Sequence, residues 1–414
     1  MERKPVHLIM VTELNNNKYY DMVPMGDHIE ISYGRVDATK TVITKPMSEW
    51  DKIYKSKVKK GYVDRSDLVA DLAVKVKPKK DKEYLPIPDK AIADLVERLQ
   101  SFAQKVIDSN YKVKANQVTK AMIEQADKCI TELSGCHKVP EFNKKLMELF
   151  TIIPRSMGQV QDYLASSTSD FSKIIDKEQS LLDVMRGQVV VVNLQADDDE
   201  DDGGYKNNCT ILEALGIELE PTTDEDVKII KKELGNCADK YYNSWRVRNV
   251  KNEEKFKKYC KDHKIKKSQI KLLFHGTRNE NVWSILHQAL RIFKRNTSNG
   301  PVINGRMLGD ALYASNMPSK SLGYTSFGYW TRGSASTGYM FLNEWALGKS
   351  YDIYAFDSKF YSWDYEALKK EAPDCESLWA HSGMNTGWGA LRNDEITVYN
   401  EEQVNLKYLI EVRG

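Results

Sequence analysis

The residue pair that first suggests chemistry is His275-Gly276, which ends the apolar segment of "KLLFHGT" at residues 271–277. An imidazole can hold a hydroxyl group or transfer a proton near neutral pH. A glycine lets a ligand or another chain segment approach the backbone closely. An isolated pair of this kind is more often an ordinary strand end with a surface histidine, so its interpretation depends on the rest of the chain.

Three later segments place polar side chains at strand ends or in the turns beside them. Their sequences are "GDALYAS", "NMPSKSLGY" and "NDEITVYN". The residues concerned are Tyr313, Ser321, Tyr324 and Glu395. Each has an ordinary interpretation as a core or surface aromatic, a helix cap or a strand-edge charge. Taken one at a time, these residues therefore establish no site.

The hydrophobic pattern changes twice along the chain. Residues 1–80 contain strand-like segments, among them "HIEISYG", in which apolar and polar residues alternate. Residues 88–190 instead show four segments with the helical spacing of apolar residues. From about residue 205, short strand-like segments such as "GYMFLNEWAL" and "LKYLIEV" recur between turns. These changes predict three domains, at residues 1–84, 85–200 and 201–414.

Composition excludes several classes of protein. A chain of 414 residues is too long for a single core. It has no run of about 18 apolar residues, which predicts that it does not span a membrane, and its N-terminus lacks a signal-peptide core. None of the six cysteines forms a CxxC pair, so neither a zinc ribbon nor a disulfide framework is indicated. The P-loop and Rossmann glycine motifs do not occur either.

Charge is unevenly distributed although the formal net charge is only +2. Residues 51–80 contain ten Lys and Arg against four Asp, which is a local excess of six positive charges. Such a stretch is typical of a polyanion-binding surface or of an ordinary solvated lysine face. The acidic run "DDDEDD" at residues 197–202 and the lysine run at 75–80 are interpreted as linkers or loops.

In this order and spacing, the segments resemble the poly(ADP-ribose) polymerase family. The most specific likeness lies in "HGTRNENVWSILHQALRI", "ALYASNMPSKSLGY" and "EITVYNEEQVNLKYLIEV". The resemblance implies that His275, Tyr313 and Glu395 form the family's catalytic His-Tyr-Glu triad. It also implies that Ser321 and Tyr324 are the serine and the stacking tyrosine of the nicotinamide pocket.

The resemblance further implies that NAD+ is the substrate and that no metal is required. Besides the triad and the nicotinamide-pocket residues, it places Gly276, Thr277, Asn281 and Arg291 against NAD+, the last three near the adenosine side. Nicotinamide would leave the ribose through an oxocarbenium-like transition state, as in glycoside cleavage. The carboxylate of Glu395 could stabilise the developing positive charge.

The same resemblance describes a multidomain α+β protein. A small β-rich domain comes first and is similar to the DNA-sensing module named WGR for its Trp-Gly-Arg motif, here Tyr33-Gly34-Arg35. An all-α helical bundle resembling the family's autoinhibitory regulatory domain follows, and then an α+β ADP-ribosyltransferase catalytic domain with antiparallel sheets. The side chains expected on DNA are Tyr33, Arg35, Trp50, Lys57, Lys59, Lys60 and Tyr62.

We therefore expect a short, DNA-dependent family member that is stimulated by DNA strand breaks. It would cleave NAD+, release nicotinamide and transfer ADP-ribose to proteins, itself included, building poly(ADP-ribose) in the DNA damage response. Two alternatives stay open here: transfer of single ADP-ribose units, and a DNA-end-binding adaptor with an inactive transferase domain. An accessory factor could supply a catalytic residue, and the expected location is the nucleus in a eukaryote and the cytoplasm otherwise.

Overall fold

The computed structural model describes residues 3–36, 38–68, 84–196, 209–294, 306–386 and 389–414. Within these residues the chain forms two compact units. The first unit holds the residues up to 68 together with 104–196, and the second holds 84–103 and the residues from 209 onward. The runs at 75–80 and 197–202 lie outside the described residues, and the division into three domains stays a prediction.

A five-stranded antiparallel sheet opens the first unit. Its strands are β1 Val6–Thr12, β2 Asn16–Met25, β3 His28–Arg35, β4 Thr41–Pro46 and β5 Val63–Asp64, arranged β4-β3-β2-β1-β5. The alternating segment "HIEISYG" lies in β3, as its pattern predicts, with Ile29 and Ile31 buried. Helix α1, Trp50–Lys59, packs against these residues through Trp50, which is therefore part of the core.

Four helices follow, as the spacing of apolar residues predicts. They are α2 Lys90–Asn110, α3 Lys120–Leu133, α4 Val139–Ile152 and α5 Phe171–Ala196. Thr119 caps α3 by accepting a hydrogen bond from the Met122 N–H at 3.1 Å. Phe142 of α4 and Phe171 of α5 stack with their ring centroids 3.9 Å apart. The boundary between the two units falls inside α2, after Ala103.

A buried arginine lies in the turn after α4. Arg155 is 2% exposed, and its Nη2 donates to Glu178 Oε2 on α5 at 2.5 Å. Its guanidinium carbon lies 4.4 Å from the ring centroid of Tyr111. Its backbone carbonyl accepts a hydrogen bond from Asn17 Nδ2 at 3.2 Å. This arginine therefore joins α5 and the residue after α2 to strand β2 of the sheet.

The second unit contains two sheets. Their strands are β6 Ile217–Pro221, β7 Tyr241–Asn249, β8 Ile270–Thr277, β9 Leu312–Ala314, β10 Thr337–Ala346, β11 Ser350–Ile353, β12 Ser377–Ala380, β13 Glu395–Val398 and β14 Val404–Arg413. The first sheet, β6-β7-β14-β10-β8, is antiparallel throughout. The second, β11-β12-β13-β9, is antiparallel except for the parallel pair β11 and β12. The predicted α+β character with antiparallel sheets is confirmed for this unit.

The helices of the second unit are α6 Ile211–Leu215, α7 Asp224–Leu234, α8 Val250–Asp262, α9 Asn279–Gln288, α10 Pro318–Leu322 and α11 Tyr365–Glu371. The first part of α2 also belongs here. Arg98 Nη2 lies 3.3 Å from Oε2 of Glu411, which is 1% exposed on β14. The ring of Phe102 meets that of Tyr339 on β10 at a centroid distance of 6.5 Å. Across the described ranges, no helix combines the length and apolar character that crossing a membrane requires.

The buried pair of Arg155 and Glu178 gives the first prediction. Glu178→Gln leaves the guanidinium charge buried without a counter-charge, and breaking a buried pair in this way costs about 3–5 kcal/mol of unfolding free energy. Urea unfolding followed by circular dichroism measures the loss. Glu124→Gln is the matched control, because Glu124 pairs with Lys120 while both side chains are largely exposed. Equal unfolding midpoints for the two variants would show that the buried pair stabilises the fold no more than the exposed pair does.

Candidate active site

Strands from both sheets of the second unit meet near the end of β8. The N–H of Phe274 donates to the Ser315 carbonyl at 2.9 Å, and the N–H of Ser315 donates back at 3.2 Å. Backbone groups alternate in direction along a strand. The N–H and C=O of Gly276 therefore point to the same side as those of Phe274, away from β10. That side borders a cavity of about 220 Å³ lined by residues of β8 and β9.

His275 is held in one tautomer at this junction. Its Nδ1 lies 3.2 Å from the carbonyl oxygen of Tyr313. Because a carbonyl only accepts, Nδ1 carries the hydrogen and Nε2 is the acceptor nitrogen. Burial lowers the pKa of the imidazole, and the hydrogen bond to Tyr313 opposes this effect only in part. The ring is therefore neutral at pH 7.

Gly276 lies directly against the backbone of α10. A Cβ atom at this position would be 1.8 Å from the carbonyl oxygen of Ser321 and 2.7 Å from its carbonyl carbon. No side chain fits there unless one of the two segments moves. Ser321 itself is 4% exposed and lines the cavity. The missing side chain of Gly276 therefore allows β8 and α10 to form one continuous wall.

Glu395, the first residue of β13, is the carboxylate of the cavity. The pairing of β13 with β9, in which Thr397 lies opposite Tyr313, brings it there. Its Oε1 accepts a hydrogen bond from Nζ of Lys320 at 2.7 Å, and the two side chains are 14% and 15% exposed. The other charged side chains that line the cavity are cationic, namely Arg291, Arg306 and Lys320. The cavity therefore suits a ligand with anionic groups, and Glu395 is its one carboxylate among the lining residues.

Tyr313 lines the cavity, but its hydroxyl group forms hydrogen bonds with backbone groups. The hydroxyl donates to the Gly309 carbonyl and accepts from the Leu308 N–H, each at 2.9 Å. Gly309 has a φ of +85°, and a Cβ atom there would lie 2.0 Å from the carbonyl oxygen of Trp363. Tyr313 therefore fixes the preceding loop, while its ring forms part of the cavity wall.

The other residues predicted to contact NAD+ fall into two groups. Tyr324 and Arg291 line the cavity together with Ser321 and the β8 residues. Thr277 and Asn281 are not among the lining residues; Asn281 Nδ2 donates to Thr277 Oγ1 at 3.4 Å instead. The fold thus brings the predicted triad and the nicotinamide-pocket residues to one cavity, and it leaves these two residues outside the wall.

Lys320 and Arg306 line the cavity although the sequence analysis did not identify them. Lys320 directly precedes Ser321 in "SKSLGY", and this adjacency was the available signal. Arg306 is held by a hydrogen bond from its Nη1 to the Phe293 carbonyl at 3.2 Å. Nothing in its local sequence, "NGRML", distinguishes it from an ordinary loop arginine. Its position depends on contacts between segments that sequence patterns do not reveal.

In the first unit, Lys57 lies among tyrosine rings. Its Nζ is 3.6 Å from the ring centroid of Tyr20, 5.4 Å from that of Tyr62 and 5.8 Å from that of Tyr33. Burial lowers the pKa of this lysine, and the nearby Lys60 lowers it further. Lys57, Tyr33 and Tyr62, all predicted to contact DNA, are therefore partners of one another in this structure.

The remaining residues predicted to contact DNA differ in exposure. Lys59 and Lys60, at the end of α1, are exposed and can reach phosphates. Trp50 is 4% exposed within the core. Because its ring is packed against the sheet in the core, no face of the ring is available for a nucleotide to stack on.

Arg35, at the end of β3, joins the sheet to the turn after α4. Its Nη1 donates to the Asn15 carbonyl at 2.8 Å, and its Nη2 donates to the Gly158 carbonyl at 2.8 Å. The side chain of Asn15 completes the link, because its Oδ1 accepts from the Val160 N–H at 3.1 Å. The planar guanidinium thus bonds two segments at once from two different nitrogens, a fork geometry that a lysine does not have.

Comparison with known proteins supplies relatives of this chain. Residues 224–414 match the family described as poly(ADP-ribose) polymerase catalytic domain. Uncharacterized protein 101L of Invertebrate iridescent virus 6 is 36% identical over 186 residues, covering 44% of this chain and 76% of that protein. Poly [ADP-ribose] polymerase 1 of Gallus gallus is 25% identical over 361 residues, covering 81% of this chain but 34% of that protein. Poly [ADP-ribose] polymerase 2 of Homo sapiens is 22% identical over 469 residues, covering 97% of this chain and 78% of that protein.

The contact between Gly276 and Ser321 gives the second prediction. Gly276→Ala places a Cβ atom onto the Ser321 carbonyl, so we expect β8 and α10 to separate at a cost of roughly 1–3 kcal/mol or more. Thermal unfolding should show a melting temperature lowered by several degrees. Gly158→Ala is the control, since a Cβ atom there meets nothing within 4 Å. An unchanged melting temperature for Gly276→Ala would mean that β8 and α10 can separate to accommodate the side chain without loss of stability.

Proposed function

The chain belongs to the poly(ADP-ribose) polymerase family, and on that premise we propose that it is an NAD+-dependent ADP-ribosyltransferase. One observation carries the proposal: Glu395 reaches the same cavity as His275 and Gly276 while it is bonded to Lys320. The reaction breaks the bond between ribose C1′ and the nicotinamide nitrogen. An acceptor group then forms a new bond to C1′ and loses its proton.

The nicotinamide side of the proposed site is built by backbone and aromatic groups. The outward N–H and C=O of Gly276 can pair with the carboxamide, and the Ser321 hydroxyl can donate to the carboxamide oxygen. The ring of Tyr324 can stack on the pyridine ring. The close contact of Gly276 with the Ser321 backbone supports this assignment, because it fixes both partners before the ligand arrives.

The ribose side relies on the imidazole and the carboxylate. Nε2 of the neutral His275 can accept a hydrogen bond from a ribose hydroxyl, which holds the sugar in the substrate complex. Glu395 acts mainly later, when C1′ gains positive charge as nicotinamide leaves. Lys320 holds the carboxylate in place through the bond to Oε1. The same carboxylate can orient the acceptor hydroxyl for chain elongation, so we favour poly(ADP-ribose) as the product on protein acceptors, the chain itself among them.

The third prediction separates these roles. Glu395→Gln should reduce nicotinamide release by about 10²–10³-fold and abolish elongation, while NAD+ binding is retained because the carboxylate acts on developing charge. His275→Ala should weaken NAD+ binding as well. Nicotinamide release, gel analysis of the product and calorimetric titration with NAD+ measure the three quantities.

Glu371→Gln provides the control for this experiment. Glu371 pairs with Lys359 on the surface and does not line the cavity, so activity should stay at the parental level. Long polymer formed by Glu395→Gln at the parental rate would refute the role of the carboxylate. A parental chain that binds NAD+ but never releases nicotinamide would instead support an inactive adaptor.

We also propose that DNA strand breaks stimulate the transferase through the first unit. Exposed lysines of α1 and the turn after it can bind phosphates, and the tyrosine cluster around Lys57 could receive a terminal nucleotide if the lysine moved aside. Arg35 supports a signalling role, because its guanidinium bonds both the sheet and the turn at Gly158. Binding on the sheet side would then alter the helical segment to which that turn belongs.

The helical segment is proposed to restrain the catalytic unit. Within the second unit, the first part of α2 packs on the sheet that carries the cavity: Arg98 pairs with Glu411, and Phe102 contacts Tyr339. Tyr339 lies opposite Thr277 in the pairing of β10 with β8. Thr277 is two residues after His275 on β8, so the contact between Phe102 and Tyr339 adjoins the part of β8 that carries His275. We propose that loosening α2 releases this restraint on β8. The coupling free energy between DNA binding and catalysis would then be about 1–3 kcal/mol, which corresponds to roughly 5- to 150-fold stimulation of activity.

The fourth prediction tests the signal through Arg35. Arg35→Ala should still bind nicked DNA but respond to it with much weaker stimulation of nicotinamide release, because the bond to the Gly158 carbonyl is lost. Arg3→Ala is the control, since Arg3 is an exposed arginine that pairs with Asp51 in the same unit. Fluorescence anisotropy reports binding, and stimulation is compared on nicked and closed circular DNA. Equal stimulation of the parental chain by nicked and by closed circular DNA would show a response to polyanions in general and not to strand breaks.

A further inference from the structure

The loop that follows the cavity presents aromatic side chains to solvent. Tyr329 is 81% exposed and Trp330 is 63% exposed. The ring of Trp330 is nearly parallel to that of Tyr324, at a centroid distance of 6.5 Å and an interplanar angle of 27°. Tyr329 meets Trp330 edge to face at 5.0 Å. The three rings thus form a connected aromatic surface, called here the aromatic platform, which runs outward from the cavity wall.

The aromatic platform is rigidly supported although it is exposed. The backbone N–H of Trp330 donates to the Gly323 carbonyl at 2.9 Å. Thr331 Oγ1 lies 2.6 Å from the Thr325 carbonyl oxygen, and Arg278 Nη2 donates to the Thr331 carbonyl at 3.2 Å. A Cβ atom at Gly323 would lie 2.5 Å from Cδ1 of Trp330. The indole is therefore seated in a prepared position, and its exposure is not a result of loose packing.

Positive charge accompanies these rings. Arg278 and Arg332 are both exposed, the first bonded into the loop and the second two residues after Trp330. Arg332 adopts a φ of +51°, a conformation that is costly for a side chain other than glycine. The sequence from 311 to 343 contains no Asp or Glu. The loop thus combines stackable rings with cations and contributes no acidic side chain of its own.

We infer that the aromatic platform binds a single-stranded nucleic acid beside the catalytic cavity. Bases stack on exposed aromatic rings irrespective of sequence, and arginines track the phosphates. An apolar peptide would use the rings but would gain nothing from the arginines. Intact duplex is disfavoured, because its bases are already stacked on one another. This site is separate from the DNA contacts proposed for the first unit, and it requires no transferase activity.

Photo-crosslinking of the full chain, without NAD+, locates the bound strand. The probe is an oligo(dT) of about 12 nucleotides, within the usual footprint of such sites, carrying 4-thiothymidine. Tryptic cleavage after Lys320 and Arg332 releases residues 321–332 as one peptide that contains all three rings. We expect crosslinks on this peptide, with a yield that falls as salt rises. Crosslinks confined to residues 1–68 would overturn the inference.

Variants test whether the rings and the charge are responsible. Tyr329→Ala should require at least about fivefold more oligonucleotide for half-maximal crosslinking of residues 321–332, as expected for the loss of one stacked base. Arg332→Gly removes the cation at a position that suits glycine, and it should weaken binding without lowering the melting temperature. Tyr354→Ala is the control, because Tyr354 is 72% exposed elsewhere in the unit. Equal weakening by the control, or competition by poly(ADP-ribose) but not by unlabelled oligo(dT), would refute the assignment.

Discussion

The geometry of the cavity depends on one contact, in which the backbone of β8 touches the backbone of α10. Gly276 permits it, because any Cβ atom would overlap the Ser321 carbonyl. The contact joins β8 and α10 into one continuous wall of the cavity. It also places Lys320, one residue before Ser321, where its ammonium group reaches Glu395. A single absent side chain therefore brings the Ser321 hydroxyl, the Tyr324 ring and the ion pair of Lys320 with Glu395 to the same cavity.

The support for this contact is a rigid sheet. Strand β10 lies between β14 and β8, and its residues from Gly338 to Asn343 are buried. Such a strand cannot shift without disturbing both neighbours, so β8 has a fixed register and His275 a fixed place. The polar groups that a binding site needs then lie on the side of β8 that faces away from β10, where among the described residues the only backbone bridge is that of Phe274 to Ser315. Backbone groups at such an edge can bond to a ligand because no strand occupies them.

The first unit is held together differently. Its sheet meets the turn after α4 mainly through hydrogen bonds to backbone carbonyls: Asn17 bonds to Arg155, and Arg35 bonds to Gly158. Polar interfaces of this kind resemble those between separable domains more than they resemble a core. The buried charge of Arg155 lies just behind them and is balanced by Glu178.

The sequence by itself determined the local elements and selected several of the residues that line the cavity. Alternation in "HIEISYG" and the apolar spacing of residues 88–190 gave the correct strands and helices, since period-two and period-3.6 patterns are imposed by burial of one face. The likeness of three short segments selected His275, Ser321 and Glu395, and folding brings all three to one cavity. The same patterns could not place Thr277 and Asn281, which bond each other outside the cavity wall.

The tertiary structure alone decided the relations that join distant segments. The pairing of Lys320 with Glu395, the entry of Arg306 into the cavity wall and the parallel pairing of β11 with β12 each join residues well apart in the chain. Exposure was decided in the same way: Trp50 lies in the core, whereas Trp330 faces solvent. A local pattern reports how a residue alternates with its neighbours along the chain. Which other segment covers that residue is fixed only when the sheets and helices pack together.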